Sequence, residues 1–432
     1  MKHAILFTAV LAAAALLLAG CSKGPAQTGD PTAEPAVTQE AAAPTKAPDA
    51  TEAPAATEAP KATEAPETQA PDFTEAPTAE PTATPEPTEV PEEVHFYSPR
   101  FEAAIRTRIG KRTGPIYESD LLAVNALDLS SSELYEIRDI AMFKNLKELK
   151  LNFNQIEDIS ALAGLTKLEK LDLIGNWIRD YSSIANLTEL RYLRLNDREY
   201  PLNDTSILRN LTKLEELTLG YCDVHNFRDF AYFTNLRKFY MYGNDNDVVT
   251  DISALANWKS IEVIFISIRG TFTDLTPLEN LTNLTHLSFN CQATDLRPLA
   301  KLTQLEELDL SCSKEADFSV LASLTNLTRL SLQRMGITDI SFVSGMTKMT
   351  KLFLQNNRIT DVTPIKDLKA LSDLSLSGNE ITDVSPLYGL DRMVFLVLED
   401  NPIPEEDQSK IASHFHGCVV YFGDDSVYGE DD

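Results

Sequence analysis

The chain is short of several residue types, and each shortage narrows what it can be. Glycine supplies only 17 of 432 residues, and no glycine-rich phosphate loop, His-Glu-x-x-His pair or Gly-x-Ser-x-Gly elbow occurs. Cysteine supplies five, none in the tight Cys-x-x-Cys pairs that mark a zinc site. Basic residues number 38 against 65 acidic ones, for a formal charge of −27. Nucleic acid and anionic lipid headgroups both need clustered Lys and Arg, so neither is an expected partner. No cofactor and no metal is expected either.

What is present divides into stretches of different composition. Met1-Lys2-His3 is followed by Ala4 to Ala19, apolar except for Thr8, and then by Leu18-Ala19-Gly20-Cys21. That apolar run is too short to span a bilayer comfortably and reads as a cleaved signal peptide over residues 1–20. Leu-Ala-Gly-Cys resembles the bacterial lipobox, which implies a lipid on Cys21 and an extracytoplasmic, surface-exposed chain anchored to the membrane by that lipid alone.

Residues 22–93 hold fourteen of the 23 prolines, with Thr-Glu-Ala-Pro at 51–54, 57–60, 63–66 and 74–77. Phe73 apart, large apolar residues are almost missing, so no core can offset chain entropy. A disordered tether is expected, biased toward polyproline II, with an upper reach of roughly 220 Å at about 3.1 Å per residue. A short acidic tail, 424–432, closes the chain.

Between these ends one pattern repeats. Leu146, Leu149, Leu151, Asn154, Ile156, Asp158, Ile159 and Leu162 set a template. Copies begin at 168, 190, 214, 236, 261, 284, 305, 327, 349 and 371, with a truncated copy at Met393 and a partial one before 146. Most spacings are 22 residues. In Leu-x-x-Leu-x-Leu the last two leucines share one face of a strand, and strands of successive copies stack in parallel about 4.8 Å apart. The Asn eight residues after the leading Leu (Asn154, Asn176, Asn357, Asn379, Asn401) is expected to turn inward and satisfy turn backbone groups. Thr276, Thr363 and Ser385, each before a Pro, read as capping hydroxyls of short convex helices or 3₁₀ segments. Residues 94–123, with Phe101, Ala104, Ile105, Ile109 and Ile116, read as a helical N-terminal cap, 124–403 as the repeats, and 404–423 as a C-terminal cap.

The 22-residue motif with its helical cap closely resembles the internalin-like leucine-rich-repeat family over about residues 94–423. The resemblance implies an α/β fold: a right-handed leucine-rich-repeat solenoid with a parallel β-sheet on the concave face and short 3₁₀ or helical convex segments. It also implies a surface protein that recognises a protein or another macromolecule on that concave face. Neither a wall-sorting signal nor an immunoglobulin-like domain follows the repeats here, so the lipid is expected to do the anchoring.

Positions two, four, six and seven after each leading Leu should face out of the concave sheet. Across the third to seventh copies these positions hold Tyr192, Arg194, Tyr221, Tyr240, Tyr242, Phe265 and His286, a set of aromatic rings beside an arginine that suits a protein interface or sugar stacking. Lys150, Lys170, Asp172, Glu307, Asp309 and Arg329 are expected as a mixed charged rim. Asn244-Asp245-Asn246-Asp247 reads as a solvated turn rather than a calcium loop. Cys291 and Cys312 share one offset, with unpaired thiols favoured, and Cys222 takes the inward Asn slot. His414, His416 and Cys418 alternate as on one strand face. Repeats and caps leave no stretch for a catalytic domain, so the expected function is that of a monomeric binding or adhesion module for a protein or glycan. The alternatives are a structural envelope spacer and, less favoured, an envelope-polymer-modifying enzyme.

Overall fold

A computed structural model describes residues 92–432 apart from 197–199, 223, 225–226, 244–247, 424–426 and 429–432, all within one compact unit, Pro85–Asp432. The expected signal segment, Cys21, nearly all of the tether, the Asn244–Asp247 turn and most of the acidic tail lie outside the described residues.

Each copy contributes a strand, a turn and a 3₁₀ segment. The strands form one fifteen-stranded sheet, parallel from Ala126–Asp128 to Val419–Tyr421, with Val427–Tyr428 added antiparallel at the end. The 3₁₀ segments, from Arg138–Met142 to Ser385–Gly389, pack on one another behind it. Between the layers lies a single continuous core of Leu, Ile, Val and Phe. Since each coil buries its aliphatic face only against its neighbours, the first and last coils need covers. At the N-terminal end Pro99–Arg108 is a helix capped by Ser98, with Phe101 and Ile105 buried. The buried Asp139 of the first coil accepts from Tyr97 N at 2.9 Å and Ser98 N at 3.0 Å, fixing that helix to the stack. Glu93, assigned above to the tether, already bridges to Tyr117. At the other end the helix Glu405–His414 buries Ile411 and Ala412, and Cys418 and Val420 cover the last leucines.

The inward asparagines behave as their positions predict. Asn357 Nδ2 donates to Leu332 O and Leu354 O, both at 2.8 Å, and its Oδ1 accepts from Met335 N at 2.9 Å and Ile337 N at 3.1 Å. Asn154 makes the same four bonds, while Asn176, Asn379 and Asn401 each donate at least two and accept at least one. The preceding residue must then enter the left-handed region: Phe153, Gly175, Asn356, Gly378 and Asp400 all have φ between 55° and 69°. The convex caps differ from expectation. The Asp two residues earlier does the capping, as Asp274 accepts from Thr276 N, Asp361 from Thr363 N and Asp383 from Ser385 N, each at 2.8 Å. The Ser385 hydroxyl instead turns back to Asp383 at 3.0 Å.

Replacing Asn357 by Ala strands two buried N–H groups and the Leu332 carbonyl, while Leu354 O keeps the Asn379 amide, and is expected to destabilise by about 3 kcal/mol. The exposed Lys366→Ala should stay within about 0.5 kcal/mol of wild type. Urea unfolding followed by circular dichroism measures both.

Candidate functional site

Strand register sorts the outward side chains of the concave sheet into rows running across the strands. One row places Lys170 beside Tyr192, then Glu216, Lys238, Val263, His286, Glu307 and Arg329. The second row, two residues further along each strand, places Asp172 beside Arg194, then Thr218, Tyr240 and Phe265. A third row holds Asn196, Gly220, Tyr242 and Ser267. A side chain on Gly220 would fall 2.4 Å from Asn196 Cγ, so only bare backbone lets Asn196 lie flat there.

Five of the seven predicted residues come together on this face. Tyr242 and Phe265 have ring centroids 5.4 Å apart, and Tyr240 stands beside Phe265 in register. Arg194 bonds Asp172 Oδ2 at 3.1 Å and meets the Tyr192 hydroxyl. All five are half-buried. Burial pushes the phenols of Tyr192 and Tyr242 up to about 12 and moves Tyr240 in the same direction. The rings are therefore neutral at any physiological pH.

The other two fall elsewhere. His286 borders the cluster in the outer row, its Nδ1 2.8 Å from Thr285 Oγ1 and its Nε2 3.5 Å from Glu307. Tyr221 sits off the sheet, at φ 52°, in the left-handed turn position. Position seven does not face out of the concave sheet in general. In the copies starting at 261, 284 and 305 the strand stays extended for five residues, so alternation carries position seven inward and buries Ile268, Cys291 and Cys312. Burial raises the thiols of Cys291 and Cys312, to about 11 and about 12, and both are free. Cys222 fills the Asn slot, 2 % exposed, its thiol 3.5 Å from Gly220 O. His414 ends a helix and stacks on Tyr388, with the strand beginning only at Val419, so His414, His416 and Cys418 do not share a strand face.

The charged residues expected as a rim occupy these same rows, and most are matched within the sheet. Glu148 lies 3.3 Å from Lys170 and 3.4 Å from Lys150, Lys238 3.8 Å from Glu216, and Lys351 3.7 Å from Asp373. Glu216 and Lys238 were missed as site residues, although position two of their copies is an outward position and could have identified them. Behind the aromatic face the core is aromatic too. Phe227, Phe230, Phe233, Phe239 and Trp258 are fully buried, and Trp258 donates to Phe230 O at 2.9 Å.

Models of leucine-rich repeats match residues 144–186 and 325–367, as a two-copy unit, and 347–403. The chain superposes on the internalin InlF of Listeria monocytogenes with TM-score 0.57 and 27 % identity, over 77 % of this chain and 92 % of that one. The functional domain of Listeria InlJ aligns at TM-score 0.59 and 21 % identity, over 74 % and 72 %. A leucine-rich-repeat protein of Leptospira interrogans aligns at TM-score 0.54 and 19 % identity, over 71 % and 97 %. The fold is a leucine-rich-repeat solenoid. No curated protein sequence matches the chain. Solenoids of this class generally mediate protein binding, and among the described residues this one carries no group of three or more His, Cys, Asp or Glu placed to hold a metal ion.

Asp172 shows how the concave charges depend on one another. Burial raises its carboxyl above the ordinary range and Arg194 pulls it back. Arg194→Met is expected to cost about 1–2 kcal/mol at pH 7, reduced from a fully buried pair because the guanidinium is partly in water. A carboxylate raised in the folded state binds a proton more readily there than in the unfolded chain, so its penalty fades as pH falls through that raised value. The loss should therefore shrink between pH 7 and pH 4, and Asp172→Asn should restore most of it at pH 7, as read from urea midpoints.

Proposed function

We propose that this chain is a lipid-anchored surface protein of a bacterial envelope that captures a protein partner on the concave sheet, centred on Tyr240, Tyr242 and Phe265. One observation carries the reading: a contiguous aromatic cluster, half-exposed, in the middle of a face whose charged neighbours are largely neutralised by one another. Half-exposed aromatics held on rigid strands lose little freedom on binding and supply much apolar contact area, as interface anchors do. A surface meant only as a spacer has no use for rings in contact on its most enclosed face. Anchoring is supported by the sequence, through the signal-like segment, Leu18-Ala19-Gly20-Cys21 and the proline-rich stretch that would lift the solenoid off the membrane.

Two measurements test the two parts. A Tyr240→Ala/Phe265→Ala double variant should lose at least tenfold in capture of proteins from the cognate surface, with its circular dichroism unchanged. Equal capture removes the site, and preferential capture of glycans moves the partner class from protein to sugar. For the anchor, cells fed radiolabelled palmitate should label the wild-type chain and leave Cys21→Ser unlabelled. Labelling of both would exclude Cys21 as the attachment point.

A further inference from the structure

The second row of the concave sheet continues past the aromatic cluster: Tyr240, Phe265, Ser288, Asp309, Ser331 and Phe353 stand on six successive strands. Asp309 is thus flanked by two serines and, beyond each serine, by a phenylalanine. At about 4.8 Å per strand, the carboxylate lies roughly 10 Å from either ring. The short serine side chains leave the row low around Asp309, and Ser331, itself 1 % exposed, hydrogen-bonds to it.

Asp309 also differs electrically from its neighbours. Asp172 has Arg194, Glu216 has Lys238, Asp373 has Lys351, and Glu307 has Arg329 at 4.0 Å and His286 at 3.5 Å. Asp309 forms no ion pair among the described residues, and Arg329 on the next strand acts on it only from beyond ion-pair distance. Two residues earlier on the same strand, the buried Oε2 of Glu307 accepts no hydrogen bond among the described residues. The Asp309 side chain is exposed on the face, and the loss of water to the neighbouring strands raises its carboxyl above the usual range against the opposing pull of Ser331 and Arg329.

We infer that the Ser288–Asp309–Ser331 saddle is the anchor subsite for a basic side chain, arginine or lysine, on an extended segment of the protein partner whose apolar residue packs on Phe265 and Tyr242. This rests on the reading of the concave face as a protein-binding surface and specifies the partner's chemistry. An exposed carboxylate that is in no ion pair can accept an incoming cation without first breaking an existing contact. The neighbouring acids Asp172, Glu216, Glu307 and Asp373 are in ion pairs whereas Asp309 is not, which makes it the more open destination for an incoming cation among the described residues. At about 3.3 Å per residue, the 10 Å between Asp309 and Phe265 corresponds to about three residues of extended peptide. The acidic chain favours approach of a basic segment. A neutral glycan seated here would cover Asp309 without matching its charge, which disfavours it. The face already shows the chemistry it would use, because the Arg329 guanidinium lies 4.6 Å over the Phe353 ring.

Random twelve-residue peptides displayed on phage would be selected on the full chain, on Asp309→Asn and on Tyr240→Ala/Phe265→Ala. Wild-type selections should be enriched in Arg or Lys about three positions from an apolar residue. Synthetic copies should bind Asp309→Asn at least tenfold more weakly, and citrulline in place of Arg should cost as much. Asp309→Asn should fold normally, since the carboxylate it removes is exposed and in no ion pair among the described residues, and the amide oxygen can still accept from Ser331. Selected peptides without basic enrichment that still lose affinity for the Tyr240/Phe265 variant would overturn the subsite and leave the concave site standing. Peptides indifferent to both variants, or no peptide at all, would remove both readings. A neutral oligosaccharide from a glycan array that outcompetes every peptide, with Asp309→Asn unaffected, would also overturn the subsite.

Discussion

Everything in this solenoid depends on how a chain can turn away from its strand without stranding backbone hydrogen-bond groups in an apolar interior. An aliphatic face every 22 residues is enough to make coils stack, but stacking alone leaves the turn after each strand with N–H and C=O groups facing the core. Asn at position eight answers that need, because one amide both donates and accepts. Its price is a left-handed residue at position seven, seen at Phe153, Gly175, Asn356, Gly378 and Asp400. Where this device operates, the strands are three residues long, as at Glu148–Lys150 and Asp373–Ser375.

The middle of the molecule solves the problem differently, and the candidate site follows from that. From Tyr192–Asn196 to Glu307–Ser311 the strands run to five residues, so the backbone groups pair with neighbouring strands instead of with an asparagine. A longer strand presents a third outward position, and Tyr242 occupies it. The core behind those strands is filled by large rings, with Trp258 and Phe233 in the slot held elsewhere by Leu187 and Leu302. Longer strands, bulkier core and outward aromatics coincide in the same coils. The proposed binding face is thus a local departure from the repeat, carried on the regularity of the coils at either side.

Much of this was legible in the sequence because period and alternation are strong signals. The solenoid, the inward asparagines, the caps and the five clustered site residues follow from spacing alone. What spacing could not give is conformation at position seven. Tyr221 and Cys291 share that offset and both follow five-residue strands, yet one sits in a left-handed turn and the other points inward, a difference that spacing does not encode. Nor could it give pairing between copies. Lys150 and Asp172 look like a solvated rim one at a time, and only the register, which puts Arg194 against Asp172 and Glu148 against Lys170, shows that the sheet neutralises its own charges.

That self-neutralisation explains why so few positions on a highly charged protein can be selective. A matched pair already in contact must be broken, or desolvated whole, before it can serve a partner, and either step offsets what the new contact contributes. Matched rows therefore exclude wrong partners more than they attract right ones. Attraction is left to groups the sheet has not satisfied, which on this face are aromatic rings half in water and a carboxylate that forms no ion pair among the described residues. Tyr240, Phe265 and Asp309 lie in the second row, within a few strands of each other, so a single extended segment crossing the strands can reach them together.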